Sequence, residues 1–138
     1  MNALELQKVR IAYGTATILD QVDLTLGSGE MLYLIGKSGE GKSTLIKALI
    51  GEIPLAGLKA EVQGVDLLTL ERSQRAGLRR RIGVIFQDFQ LLSDRTVEGN
   101  LEFVLTATGW KEGNARVQRI EEVLTQVGLE GKQKDWPH

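Results

Sequence analysis

Apolar and polar residues alternate at the start of the chain. Leu4, Leu6, Val9 and Ile11 stand among polar neighbours, which predicts a half-exposed strand that Tyr13-Gly14 breaks. Val22, Leu24 and Leu26 repeat the alternation, and Gly27-Ser28-Gly29 reads as a turn. The pattern then changes twice to continuous apolar runs, Met31-Leu32-Tyr33-Leu34-Ile35 and Ile82-Gly83-Val84-Ile85-Phe86. Such runs predict strands covered on both faces, as in a parallel sheet. Between them, Leu45, Ile46, Leu49 and Ile50 recur at helical spacing, and Gly51 ends that helix. Glu52 to Gly57, with Pro54, is a connector. Leu58 to Val65 predicts another strand with Gly64 as a turn or bulge, and residues 67–81 are partly helical.

Beyond the second run, Thr96 is placed to cap a helix with Val97, Leu101, Val104 and Leu105 on one face. Glu98 falls in its first turn, where a negative charge is favourable, and Gly109 ends it. Val117, Ile120, Val123, Leu124 and Val127 predict an amphipathic helix stopped by Gly128, and Lys132 to His138 reads as a loop.

Composition narrows the classes. A chain of 138 residues, 42% hydrophobic and 25% charged, has the make-up of one soluble globular domain. The net charge of -1 gives no global attraction to nucleic acid or to an anionic membrane. The chain has no cysteine, so disulfides and thiolate metal sites are excluded, which suits a reducing cytoplasm. No apolar run approaches the roughly 20 residues that span a bilayer, and the first residues show no basic-then-apolar leader. Any membrane role is therefore expected to come through a partner. The single histidine, His138, cannot by itself make a metal site or a catalytic triad.

The chemistry sits between the first apolar run and the first helix. Gly36-Lys37-Ser38-Gly39-Glu40-Gly41-Lys42-Ser43-Thr44 fits G-x-x-x-x-G-K-[ST], the phosphate-binding loop of nucleoside triphosphatases. Glycines let the backbone turn tightly and bring its N–H groups to phosphate oxygens. The helix that follows adds the positive end of its dipole. Lys42 is expected to reach the β- and γ-phosphates, and Ser43 to ligate magnesium. The bland alternative is a glycine turn with a solvated lysine; the apolar run before it and the helix after it argue against that. The basic cluster of Arg72, Arg75, Arg79, Arg80 and Arg81 reads as a solvated helix face.

Tyr13, the loop at 36–44 and Ile82-Gly83-Val84-Ile85-Phe86-Gln87-Asp88 together resemble the first half of an ABC-type ATPase domain. The stretch from Arg79 to Val97 is similar to the FtsE-type cell-division ATPases within that family, and its run Leu91-Leu92-Ser93-Asp94-Arg95-Thr96-Val97 narrows the subfamily. The resemblance implies an α/β P-loop fold with an N-terminal antiparallel β segment and the start of a helical subdomain. Residues 1–88 would hold the antiparallel segment and P-loop core, and 89–138 the helical part. It further implies that Tyr13 stacks on adenine and that Gln87 contacts magnesium and the attacking water. ATP and Mg2+ would be the ligands, with Lys42 and Gln87 in the catalytic machinery. Partners would be an integral membrane permease and a second copy arranged head to tail. The location would be the cytoplasmic face of the bacterial inner membrane. Phe89, Leu91 and Leu92 would either supply apolar contacts to the permease or join the core, with core favoured for each alone.

The sequence departs from the family in two places. Lys37 and Glu40 replace a usual proline and a usual small residue, and Glu40 puts a carboxylate near phosphate. No LSGGQ-type signature, acidic strand ending in aspartate and glutamate, or switch histidine follows Gln87. The expectation is therefore the N-terminal portion of a longer ATPase, which alone would bind nucleotide weakly, hydrolyse little and tend to aggregate. Two alternatives stay open. One is the ATPase of lipoprotein release or export; the other is a truncated nucleotide-binding module without turnover.

Overall fold

The computed structural model describes residues 2–137. It contains two compact units, the first running to Gly83 and the second beginning at Val84.

The first unit is built on an antiparallel hairpin, β1 (Asn2–Tyr13) and β2 (Ala16–Gly27). Gly14, at φ 56°, makes the turn. In β1 the apolar spacing is two, then three, then two, which a regular strand cannot bury on one face. The register shifts between Leu6 and Val9, and Lys8 there takes φ 51°. This bulge lets Leu4, Leu6, Val9 and Ile11 all face the core. Asp23 on β2 satisfies the bulge by accepting from both the Lys8 backbone N–H and the Lys8 ammonium, each at 2.8 Å.

Three short strands complete the sheet: β3 (Leu55–Ala56), β4 (Lys59–Val62) and β5 (Val65–Asp66). Every pairing among the described residues is antiparallel, in the order β2-β1-β4-β5 with β3 also on β1. The segment 58–65 thus splits into two strands at Gln63-Gly64, where both residues have positive φ. Helix α1 (Lys42–Leu49) lays Leu45 and Ala48 against the sheet, while Ile46 is turned outward. Val9 and Ile11 are fully buried, and burial of such a side chain stabilises by roughly 1.5–3 kcal/mol. Gly51, at φ 72°, ends α1, and the Glu52 N–H donates to the Lys47 carbonyl at 2.9 Å. A 3-10 turn over Arg72–Gln74 leads into α2 (Arg75–Arg79), which buries Leu78. Arg72, Arg79, Arg80 and Arg81 are exposed, as a solvated face requires, though Arg79 Nε also donates to the Ile50 carbonyl at 3.0 Å.

The two continuous apolar runs depart from expectation. Neither 31–35 nor 82–86 forms a strand; Ile35 is 91% exposed and Ile85 92%. Hydropathy supplies a reason to be buried but no partner for the backbone. A strand needs a neighbour for its N–H and C=O groups, and no strand among the described residues pairs with either run. The parallel sheet inferred from them is therefore not among the described residues, although the chain is α/β.

In the second unit, α3 (Val97–Ala107) packs on α4 (Gly113–Gln126). Thr96 is the N-cap of α3, its hydroxyl accepting from the Gly99 N–H at 3.2 Å. The carbonyls of Asp135 and Gln133 take the N–H groups of Val97 and Glu98, both at 2.9 Å. Ile120 and Leu124 are the buried positions of α4; Val117 and Val127 are exposed, and so is Val104 on α3. Arg116 ties the helices together, donating to Glu102 Oε1 at 2.6 Å and to the Trp110 and Lys111 carbonyls. His138 lies outside the described residues.

Candidate functional site

The loop at 36–44 enters α1 through Gly41, the N-cap, at φ 89° and ψ 7°. Gly39 has φ 85°. Both are in the left-handed region, which an L side chain adopts only at a cost. A Cβ on Gly39 would meet nothing within 4 Å, so the loop is open above it. A Cβ on Gly41 would lie 3.0 Å from Leu19 and 3.1 Å from Ile18. The loop thus rests on β2, a contact that the sequence pattern did not single out. Ile18 and Leu19 carry no chemistry, and only their position three to four residues past the hairpin turn distinguishes them.

The Lys42 ammonium is held inside the loop, donating to the carbonyls of Gly36 and Lys37, each at 2.6 Å. These bonds use two of the three ammonium protons. The first helical bond of α1 runs from the Leu45 N–H to the Gly41 carbonyl at 2.9 Å, and no acidic residue sits in its first turn. Backbone N–H groups converging on a helix N-terminus beside an ammonium make an anion-binding concavity. Ser43 lies exposed in the first turn and Thr44 is half-buried. No cluster of His, Asp or Glu suited to a metal occurs among the described residues. The donor set therefore fits magnesium arriving with phosphate oxygens and meeting the Ser43 hydroxyl, rather than an all-protein cage.

Tyr13 ends β1 opposite Ala16 and is half exposed, on the same hairpin that supports Gly41. Gln87 belongs to the second unit, where it opens an exposed turn over 87–90. Phe89 and Gln90 in that turn have φ of 55° and 49°. Phe89 is 70% exposed and Leu91 54%, so neither is a core residue; Leu92 is half-buried. An apolar cleft of about 410 Å³ between α3 and α4 is lined by Leu91, Val97, Leu101, Val123, Val127 and Leu129 among others. Among the described residues, no helix is long and apolar enough to cross a membrane.

The methionine import ATP-binding protein MetN of Rhizobium johnstonii is 41% identical over 136 residues, covering 99% of this chain and 37% of that protein. A MetN 2 protein of Enterococcus faecalis is 40% identical over 142 residues, covering 99% and 41%. The chain thus spans about two fifths of the length of these curated relatives. A solved ATP-binding cassette, a dimer in a post-hydrolysis state with ADP and Pi, matches with a TM-score of 0.82 at 26% identity, over 97% of this chain and 61% of that one. The structure of an ATP-binding subunit of an ABC transporter matches with a TM-score of 0.77 at 27% identity, over 98% and 54%. Residues 19–138 match the family described as ABC transporter; with the 36–44 loop and both later helices inside that span, the chain belongs to the ABC transporter family.

Proposed function

We propose that this chain is the nucleotide-grasping part of the ATP-binding subunit of a membrane transporter, and that the subunit takes part in uptake of a small organic solute. The observation that carries the reading is the loop itself: Gly39 and Gly41 at positive φ, Lys42 tethered within, and α1 beginning at once. In this reading the loop N–H groups and the Lys42 ammonium hold the β- and γ-phosphates. Ser43 holds magnesium, which when bound neutralises phosphate charge. Tyr13 offers a ring face to adenine from the hairpin. Gln87 carries an amide that both donates and accepts, which suits the handling of magnesium and water that the family resemblance implies for it.

The relatives bear on which complex this is. They are named for methionine import. The cell-division reading rests only on the stretch Arg79–Val97, and the relatives favour transport over it. They also favour import over lipoprotein release or export. In the assembled protein the partners would be a membrane permease and a second ATP-binding subunit, with the subunit peripheral to the membrane. The exposed Phe89 and Leu91 beside Gln87 support docking of such a permease on the second unit. Turnover belongs to this proposal for the assembled protein, because the chain spans only about two fifths of the length of its relatives.

Titration with Mg-ATP by calorimetry tests the reading. Saturable binding is expected, abolished or weakened at least about tenfold by Lys42→Ala with the fold intact. Equal binding by wild type and Lys42→Ala would overturn it.

A further inference from the structure

The loop contains one acidic side chain, and it is turned inward. Glu40 Oε2 accepts from the Lys37 backbone N–H at 2.7 Å. The Glu40 N–H in turn donates to the Lys37 carbonyl at 3.3 Å, and that carbonyl also receives the Lys42 ammonium. The carboxylate lies so close over the chain that a Cβ on Gly36 would come within 2.6 Å of it. Glu40 itself is exposed, so nothing in the packing forces this rotamer. The bond to Lys37 does, since a carboxylate on a backbone N–H is a short, charge-assisted hydrogen bond.

We propose that Glu40 is a built-in anion that competes with polyphosphate for this loop and makes its affinity depend on the ligand's charge. The inference rests on the reading of the loop as a nucleotide site. Two effects act together. The carboxylate occupies a loop N–H, and it adds a negative charge beside the place where phosphate must sit. The charge opposes a free triphosphate more than a magnesium complex, because the metal removes two charges from the ligand. It also opposes ATP more than AMP. Glu40 therefore selects the magnesium complex and keeps binding readily reversible. At separations of several ångströms in a solvent-exposed loop, removing one charge changes affinity by about three- to tenfold. Added salt shrinks the change, because the groups are open to solvent.

The test compares the 138-residue chain with Glu40→Gln and Glu40→Ala. Gln keeps an acceptor for the Lys37 N–H and loses the charge; Ala loses both. Each is titrated with ATP, ADP and AMP, with and without magnesium, at low and high salt. Circular dichroism and thermal unfolding check the fold. Both variants should bind free ATP about three- to tenfold more tightly, Mg-ATP less so, and AMP equally. The gain should diminish at high salt. Unchanged affinity for free ATP, or weaker binding by both variants, would overturn the inference while leaving nucleotide binding in place. If wild type and variants alike bound no nucleotide, the nucleotide site itself would be wrong and the inference with it.

Discussion

Asn100 clamps Leu92 by both backbone groups. Its Oδ1 accepts from the Leu92 N–H at 2.8 Å, and its Nδ2 donates to the Leu92 carbonyl at 3.0 Å. The same Nδ2 reaches the carbonyls of Arg95 at 3.3 Å and Thr96 at 3.0 Å. The segment after Gln87 has no strand or helix to satisfy its main chain, and one amide on the first turn of α3 supplies those partners.

Replacing Asn100 should therefore loosen the residues leading into α3. Asn100→Ala is expected to cost about 1–3 kcal/mol, the range for leaving partly buried backbone groups unpaired. Asn100→Asp keeps the acceptor but turns a carboxylate oxygen towards three carbonyls, and should cost at least as much. Urea unfolding followed by far-UV circular dichroism measures both. A change within about 0.5 kcal/mol for Ala, as for an ordinary surface site, would contradict the clamp.

The two glycines of the loop should differ in what they tolerate. At Gly39 a side chain meets only backbone strain, about 1–2 kcal/mol for an L residue in the left-handed region. At Gly41 the same strain is joined by contacts of 3.0–3.1 Å with Leu19 and Ile18. Gly41→Ala is expected to be the more destabilising by about 1–3 kcal/mol, an overpacking cost. Equal losses in denaturant titrations would mean that β2 does not support the loop.

Acid should weaken the hairpin sheet at identifiable groups. The Lys59 ammonium, 2.7 Å away, and then the Asn2 amide hold the Glu5 carboxyl below its ordinary 4.5. The Lys8 ammonium, followed by the Lys8 N–H, holds Asp23 below its ordinary 3.8. A carboxylate depressed in the folded state stabilises it above the unfolded value and loses that contribution as pH falls through the folded one. Stability should hold at neutral pH and decline below about pH 4.5, the unfolded-state value of Glu5. Lys59 has the opposite sign: Glu5, first, raises it above 10.5, so its contribution fades only at pH above that. Glu5→Gln should flatten the acid limb of the urea midpoint against pH. An unchanged limb would assign the acid sensitivity elsewhere.

What could be read from the sequence follows from where each signal originates. The glycine-rich bend at 36–44 and the helix after it are legible because glycine, lysine and serine at fixed spacing specify local backbone geometry. The caps at Thr96, Gly109 and Gly128 were legible for the same reason. The β1 bulge was visible only as an odd spacing between Leu6 and Val9, because its cause, the Lys8–Asp23 pairing, joins residues on different strands. The runs 31–35 and 82–86 are misleading because hydrophobicity reports a preference for burial and is silent about which groups donate the hydrogen bonds. Glu40 stands out in the sequence as a departure from the family pattern, but its turn onto the Lys37 N–H is a rotamer that no pattern encodes.

Those two runs lead to the last prediction. Ile35 and Ile85 project into solvent from segments whose backbone lacks a ladder, so they offer apolar surface and open hydrogen-bonding edges together. That combination promotes self-association. Ile35→Lys and Ile85→Lys should leave the unfolding free energy within about 0.5 kcal/mol, because each side chain is already in water. Both should lower light scattering at high protein concentration, since a charge on an exposed edge opposes edge-to-edge pairing. A loss of several kcal/mol in either variant would instead mean that the isoleucine is buried in solution, because an unpaired buried ammonium is costly. The same urea titration, read beside the scattering, separates the two outcomes.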